Sequence, residues 1–160
     1  MIRTALMIGF IGVTAAAAQD TYEVGQFDLT GDVPAGFNAG VASQHSDSIT
    51  YDSLDGHAQL VVFGSLDLLG GIGPTREIAR QGLIFDQSSI TNKFADENFF
   101  IYSGVRSNGQ IYFRYTRLGE TCEGVRVMGS FVLSYDPAAA ETYQPMTQPI
   151  IYALHIGACG

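Results

Sequence analysis

The sequence predicts an α+β fold in which an antiparallel sheet of about six or seven strands packs against two helices. Three observations lead there. Segments of alternating apolar and polar residues are joined by short Gly- and Asn-containing turns, which fit antiparallel neighbours. A stretch near the middle repeats its apolar residues at helical spacing, and an Asp-Pro pair opens a second helical stretch near the C-terminus.

The chain starts with a segment of a different kind. Arg3 is followed by an apolar run over residues 5–13, then by Ala15, Ala16, Ala17 and Ala18 ahead of Gln19 and Asp20. A short basic start, an apolar centre and a small-residue end form the layout of a secretory signal peptide over residues 1–18. The apolar run is well short of the roughly 20 residues that span a bilayer, so we expect the segment to be removed and no stable membrane insertion to follow. The remainder, residues 19–160, has the length of a single domain.

The whole chain carries 8 basic and 16 acidic residues; without Arg3 the balance is 7 against 16, a net charge of −9. Such a surface repels phosphate backbones and anionic headgroups, which excludes nucleic acid as an expected partner. Export places Cys122 and Cys159 in an oxidising compartment, periplasmic or extracellular, where two thiols close into a disulfide. The bond closes a loop long enough to stabilise the fold by about 4 kcal/mol in the chain-entropy account.

The elements follow in order. Residues 22–29 read as a strand, and Gly31, Pro34, Gly36 and Gly40 punctuate the loop after it. Residues 48–53 and 59–66 form a hairpin about Asp55-Gly56. Gly70, Gly71 and Gly73 break the pattern, and a helix begins at Pro74 or Thr75, with Ile78, Gly82 and Phe85 at helical spacing beside Arg76, Glu77 and Arg80. Strands come next at 88–94, 98–106 and 110–118, the last two joined through Ser107-Asn108-Gly109. Over 125–135, Val125, Val127, Phe131, Leu133 and Tyr135 share the inward face, with Arg126, Met128, Ser130 and Ser134 opposite. Asp136 and Pro137 open the last helix, in which Tyr143, Met146, Ile150 and Leu154 form one apolar stripe and Pro145 and Pro149 impose breaks or kinks.

Chemistry-bearing patterns are sparse. No serine sits in a nucleophile elbow, and His45, His57 and His155 are scattered; a hydrolase would have to use His57 with Asp52 or Asp55. Asp47, Asp52 and Asp55 cluster beside Gly56, yet the twelfth position of a calcium loop counted from Asp52 is Phe63, not a bidentate glutamate. Neither a Cys-x-x-Cys pair nor a histidine partner set is present for zinc, so we expect no metal and no cofactor. Gly70-Gly71-x-Gly73 ahead of a helix has the outline of a phosphate-binding loop but lacks the Walker lysine; it reads either as such a loop or as a plain turn.

The strongest candidate is a set of residues expected to share the outward sheet face: Tyr102, Tyr112, Arg114, Thr116, Arg126 and Met128. Arg114, Arg117 and Arg126 are three of the seven basic residues outside the leader. Arg114 and Arg126 beside Tyr102 and Tyr112 suit a small anionic ligand or an acidic protein; alternatively the arginines offset Glu120 and Glu123 across strands.

Three runs carry a resemblance: residues 99–104 ending in Ser103-Gly104, Gly109-Gln110-Ile111-Tyr112-Phe113-Arg114, and residues 131–135 followed by Asp136-Pro137. They resemble the C-terminal half of small exported proteobacterial proteins of PsbP/Mog1-type architecture, with Asp136 standing between a tyrosine and a proline that adjoin in that group. The resemblance implies a sheet backed by helices and no particular activity. The expectation is therefore an exported, non-enzymatic binding or interaction module whose partner is a protein or a small anionic ligand.

Overall fold

Left-handed backbone at Gly56 (φ 74°) and Gly109 (φ 88°) closes the two hairpins that the Asp-Gly and Asn-Gly pairs announce. The computed structural model describes residues 20–159; the leader expected at 1–18 lies outside them. In chain order the strands are β1 (Thr21–Val24), β2 (Leu29–Asp32), β3 (Val41–Ala42), β4 (Ser48–Asp52) and β5 (Ala58–Leu66), followed by helix α1 (Ile72–Phe85). Then come β6 (Asn92–Ala95), β7 (Phe99–Val105), β8 (Ile111–Glu120), β9 (Arg126–Tyr135), the short helices α2 (Ala140–Tyr143) and α3 (Thr147–Ala153), and β10 (His155–Ile156).

Seven strands form one antiparallel sheet in the order β3-β4-β5-β9-β8-β7-β6, and three form a second in the order β1-β2-β10. The predicted α+β class holds; α1 begins at Ile72, ahead of the expected Pro74 or Thr75, and three further segments differ. The first expected strand is a hairpin, because a 3-10 turn at Gly25–Phe27 and left-handed Asp28 fold it back on itself. The strand expected at 88–94 is regular only over Asn92–Ala95; before it, Ser89 and Thr91 still bond to β7. The C-terminal helix is broken as Pro145 and Pro149 require, and its end extends into β10, which pairs with β2.

β9 lies at the centre, and its two faces are both buried, not one. One face, with Val127, Phe131, Leu133 and Tyr135, packs with Tyr22, Val24 and Leu29 of the small sheet and with Tyr143, Ile150 and Leu154. The small sheet can approach because Gly64 of β5, Gly119 of β8 and Gly129 of β9 leave a shelf. A Cβ on Gly64 would run into the Phe27 ring, and those on Gly119 and Gly129 into Ile156. The other face packs Phe100, Tyr102, Tyr112 and Met128 against Ile72 and Ala79 of α1. Here the expected outward face is corrected. Tyr102 and Tyr112 do share a side with Arg114, Thr116 and Met128, but α1 lies on them and Tyr112 is fully buried.

The disulfide forms between Cys122 and Cys159. It links the β8–β9 turn to the segment after β10, where the Cys122 N–H also donates to the Asp28 carboxylate at 2.7 Å.

Candidate functional site

Helix α1 starts at a glycine, so no side chain at its cap can accept from the first free N–H groups. Asp67 does this from the preceding loop. Its Oδ1 accepts the Gly71 N–H at 2.8 Å, its Oδ2 meets Arg126 Nη2 at 2.9 Å, and its backbone N–H donates to the Arg126 carbonyl at 3.0 Å. The Asp67 side chain is 1% exposed. The glycine loop thus holds an anion, as a phosphate loop would, but the anion is the chain's own carboxylate. Arg126 is thereby committed to Asp67, not to Glu120, its partner across the ladder, and it stands apart from the Arg114 cluster expected of it.

Two grooves run along the flanks of α1. The first is a cleft of about 420 Å³ between α1 and the sheet, lined by Arg106, Arg114, Tyr112, Thr75 and Asp86, with Leu66, Leu69, Ile78, Leu83 and Val132 supplying apolar wall. Arg114 is half-buried, and its guanidinium lies 5.3 Å from the Phe63 ring centre and 5.5 Å from that of Phe100. Its Nε donates to Thr116 Oγ1 at 3.3 Å. Burial pulls its pKa down to about 10. Arg106 stands 5.7 Å over the Tyr112 ring, its Nε donating to Ser134 Oγ at 3.1 Å. Among the described residues neither arginine forms an ion pair. Arg106 was not expected from the sequence, because it follows the last residue of β7 and its position over β8 depends on a turn geometry that spacing does not specify.

The second groove, about 310 Å³, is lined by Arg76, Glu77 and Arg80 of α1 with Lys93, Phe94, Ala95 and Tyr102. Arg80 is paired with Glu77 at 2.6 Å, which holds the Glu77 carboxyl down at about 2; Arg76 and Lys93 form no ion pair among the described residues. The Tyr102 hydroxyl donates to the Arg76 carbonyl at 3.4 Å, and burial pushes its pKa up. Of the seven basic residues outside the leader, five therefore line grooves beside α1 and Arg126 holds its start. Arg117 lies on the opposite face of the sheet, donating to the Leu154 carbonyl at 3.3 Å.

The histidine reading takes another shape. His57 Nδ1 meets Asp136 Oδ2 at 2.9 Å, neither Asp52 nor Asp55, and this bond raises the imidazole pKa. Ser53 Oγ donates to Asp55 at 2.6 Å, as does the Tyr143 hydroxyl at 2.7 Å, and these bonds with the His57 N–H hold Asp55 down at about 2. The serine is thus committed to a carboxylate and not to the imidazole, and the network ties the β4–β5 turn to β9 and α2. Asp47 accepts from Ser43, and Asp52 from Gln59. Among the described residues no three His, Cys, Asp or Glu side chains converge to hold a metal ion, and no helix is long and apolar enough to cross a membrane.

Solved proteins share this overall fold. The cyanobacterial PsbP of Synechocystis sp. PCC 6803 superposes with a TM-score of 0.65 at 13% identity, over 93% of this chain and 98% of that one. The chain has the PsbP/Mog1 fold. The Ran-binding protein Mog1p of Saccharomyces cerevisiae superposes with a TM-score of 0.50 at 10% identity over 86% of this chain and 95% of that one, and a Mog1 point mutant gives 0.51 over the same shares. No protein-family model matches the chain, and no curated protein does. At these identities the likeness fixes the fold and leaves function to the site.

Proposed function

We propose that the protein is an exported, non-enzymatic interaction module, one domain over residues 19–160, that docks an acidic protein segment on α1 and the Lys93 groove. The observation that carries this reading is how little of α1 the fold uses. Of its 14 residues only Ile72 and Ala79 are buried, whereas Ile84 and Phe85, the latter 87% exposed, face solvent and Ile78 is exposed at the wall of the first cleft. A helix that packs only for stability buries a continuous apolar stripe and leaves its polar side outside. Apolar side chains among unpaired Arg76 and Lys93 complement a partner with both carboxylates and apolar anchors.

Supporting the reading, one protein of the same fold is a Ran-binding protein, so the architecture is compatible with protein recognition. Export is supported by the disulfide and by the leader pattern of residues 1–18. Small-anion capture by Arg114, the second reading, is favoured by the unpaired guanidiniums of the cleft and is developed below.

A photo-crosslinking residue at Ile84, which is exposed and follows Glu77 and Arg80 by two helical turns and one, with one at exposed Tyr152 as the control, tests the docking face in the host's own envelope. The expected result is an adduct with one acidic protein from position 84 only, lost when Arg76→Glu and Lys93→Glu are combined. Equal adducts from both positions, or none from 84, overturn it. N-terminal sequencing of the same material is expected to begin at Gln19; a chain starting at Met1 overturns export.

A further inference from the structure

We propose that the cleft between α1 and the sheet is a binding site for an amphipathic monocarboxylate, its head on Arg106 and Arg114 and its apolar body along Leu69, Leu83 and Val132. This site lies on the flank of α1 away from the Lys93 groove, and it stands on different observations from the docking face.

A guanidinium carries five N–H donors. Among the described residues, only Nε of Arg106 and of Arg114 is engaged with the protein, through Ser134 and Thr116. The terminal nitrogens of both are unspent, and both side chains line the same cleft. Cation–π contacts with the Phe63, Phe100 and Tyr112 rings, together with the two Nε hydrogen bonds, hold both guanidiniums at the cleft, and a guanidinium is suited to a planar, bidentate acceptor. Folding alone does not account for this arrangement, because half-burying a charge without a counterion is unfavourable unless something else supplies one. Asp86 is the one acidic residue of the lining, and it makes no ion pair with either arginine.

The apolar wall narrows the class of ligand. A free inorganic anion would leave Leu69, Leu83 and Val132 against water, whereas a carboxylate bearing an alkyl or aryl body covers them. The volume of about 420 Å³ is within the range of small-molecule sites. The net lining charge of two cations against one anion suits a single negative head.

Calorimetric titration of the purified protein with sodium decanoate, below its micelle concentration, tests the assignment, with inorganic phosphate as the second probe. The expected result is saturable decanoate binding, weakened at least tenfold by Arg114→Met and by Arg106→Met and unchanged by Arg117→Met on the opposite face. Arg114→Lys, which keeps the charge and loses the fork, is expected to fall between wild type and Arg114→Met, and circular dichroism melting confirms that each variant is folded. Absence of saturable decanoate binding at millimolar concentration, or equal affinity in Arg114→Met, overturns the site. Phosphate binding as tightly as decanoate overturns the amphipathic class.

Discussion

Replacing Asp67 by Ala removes the group on which α1 is set, and the structure allows the loss to be sized. One oxygen accepts the Gly71 N–H at 2.8 Å at the helix start, and the other pairs with Arg126 at 2.9 Å. A charge-assisted hydrogen bond to a helix N-terminus contributes about 1–2 kcal/mol. The Arg126 side chain is 49% exposed, so solvent screening limits the ion pair to about 1 kcal/mol. Asp67→Ala is therefore expected to lose about 2–3 kcal/mol, read as a lower urea midpoint at unchanged slope and a melting temperature lower by roughly 5–10 °C. The vacancy left behind consists of free helix N–H groups facing a free guanidinium, which is an anion site. Added acetate is expected to restore part of the loss: with a dissociation constant of about 10 mM, 200 mM acetate would return roughly 1.8 kcal/mol by linkage. The comparison is variant against wild type in the same salt, because salts also act on stability generally. A loss below about 0.5 kcal/mol, or the same acetate response in both proteins, would refute the assignment of Asp67 as the built-in anion of the glycine loop.

Three further outcomes are expected. The Tyr22 hydroxyl is buried over Gly31 without a hydrogen-bond partner among the described residues, and burial pushes its pKa up, so Tyr22→Phe is expected to raise stability by about 1 kcal/mol in the same urea assay; a loss would mean that a partner is engaged. Replacing Cys122 and Cys159 together by Ala opens a loop of 37 residues separation and is expected to cost about 4 kcal/mol, measured by reversible thermal unfolding. Stability against pH is expected to be greatest between about 4.5 and 6.5. Asp55, Glu77 and Asp136 are held below the ordinary carboxylate range, so their contribution is present above it and is lost as pH falls through their lowered pKa values, about 2 for Asp55 and for Glu77; His57 is held above 6.5, so its contribution is present below that value and is lost as pH rises through its raised pKa. A flat urea midpoint from pH 3 to 8 would refute both assignments.

How much was legible follows from the range of each signal. Asp55-Gly56 and Asn108-Gly109 encode their hairpins locally, so β4–β5 and β7–β8 were readable in position and nearly in length. The alternation over β9 placed Arg126 and Met128 on one side and Phe131 and Leu133 on the other, and that division holds. What period-two patterning does not carry is which side lies under a helix: Ser130 and Ser134 look like solvent-facing residues, yet Ser130 is buried by its bond to Thr116 Oγ1 and Ser134 by Arg106. The small sheet was invisible for a similar reason, since β10 is two residues long and exists through pairing with β2 over a separation of more than a hundred residues. At the site, Arg114 and Tyr112 were found because they alternate with core residues on one strand. Arg106 was missed because it depends on a turn; Arg126 does share the side of Met128 and Arg114, but Asp67 captures it from a loop with no pattern of its own.

The placement of charge is itself an argument about function. In a chain whose acidic residues exceed its basic ones two to one, self-repulsion is relieved most by spreading cations among the carboxylates. Here the reverse holds: the helical pair Arg76 and Arg80, Lys93 on the adjoining edge strand and the cleft pair Arg106 and Arg114 gather about one helix, with Glu77 and Asp86 as the only acids lining the same grooves. That helix is anchored through Asp67, the Tyr102 bond to the Arg76 carbonyl, two buried side chains and half-buried Leu83, a small set for 14 residues. A cationic, partly apolar surface on a lightly anchored helix is a poor solution for a fold that needs only to be stable. It is a good one for a surface completed by a negatively charged guest, which supplies the counterions that Arg76, Lys93, Arg106 and Arg114 lack and the apolar cover that Ile78 and Phe85 lack.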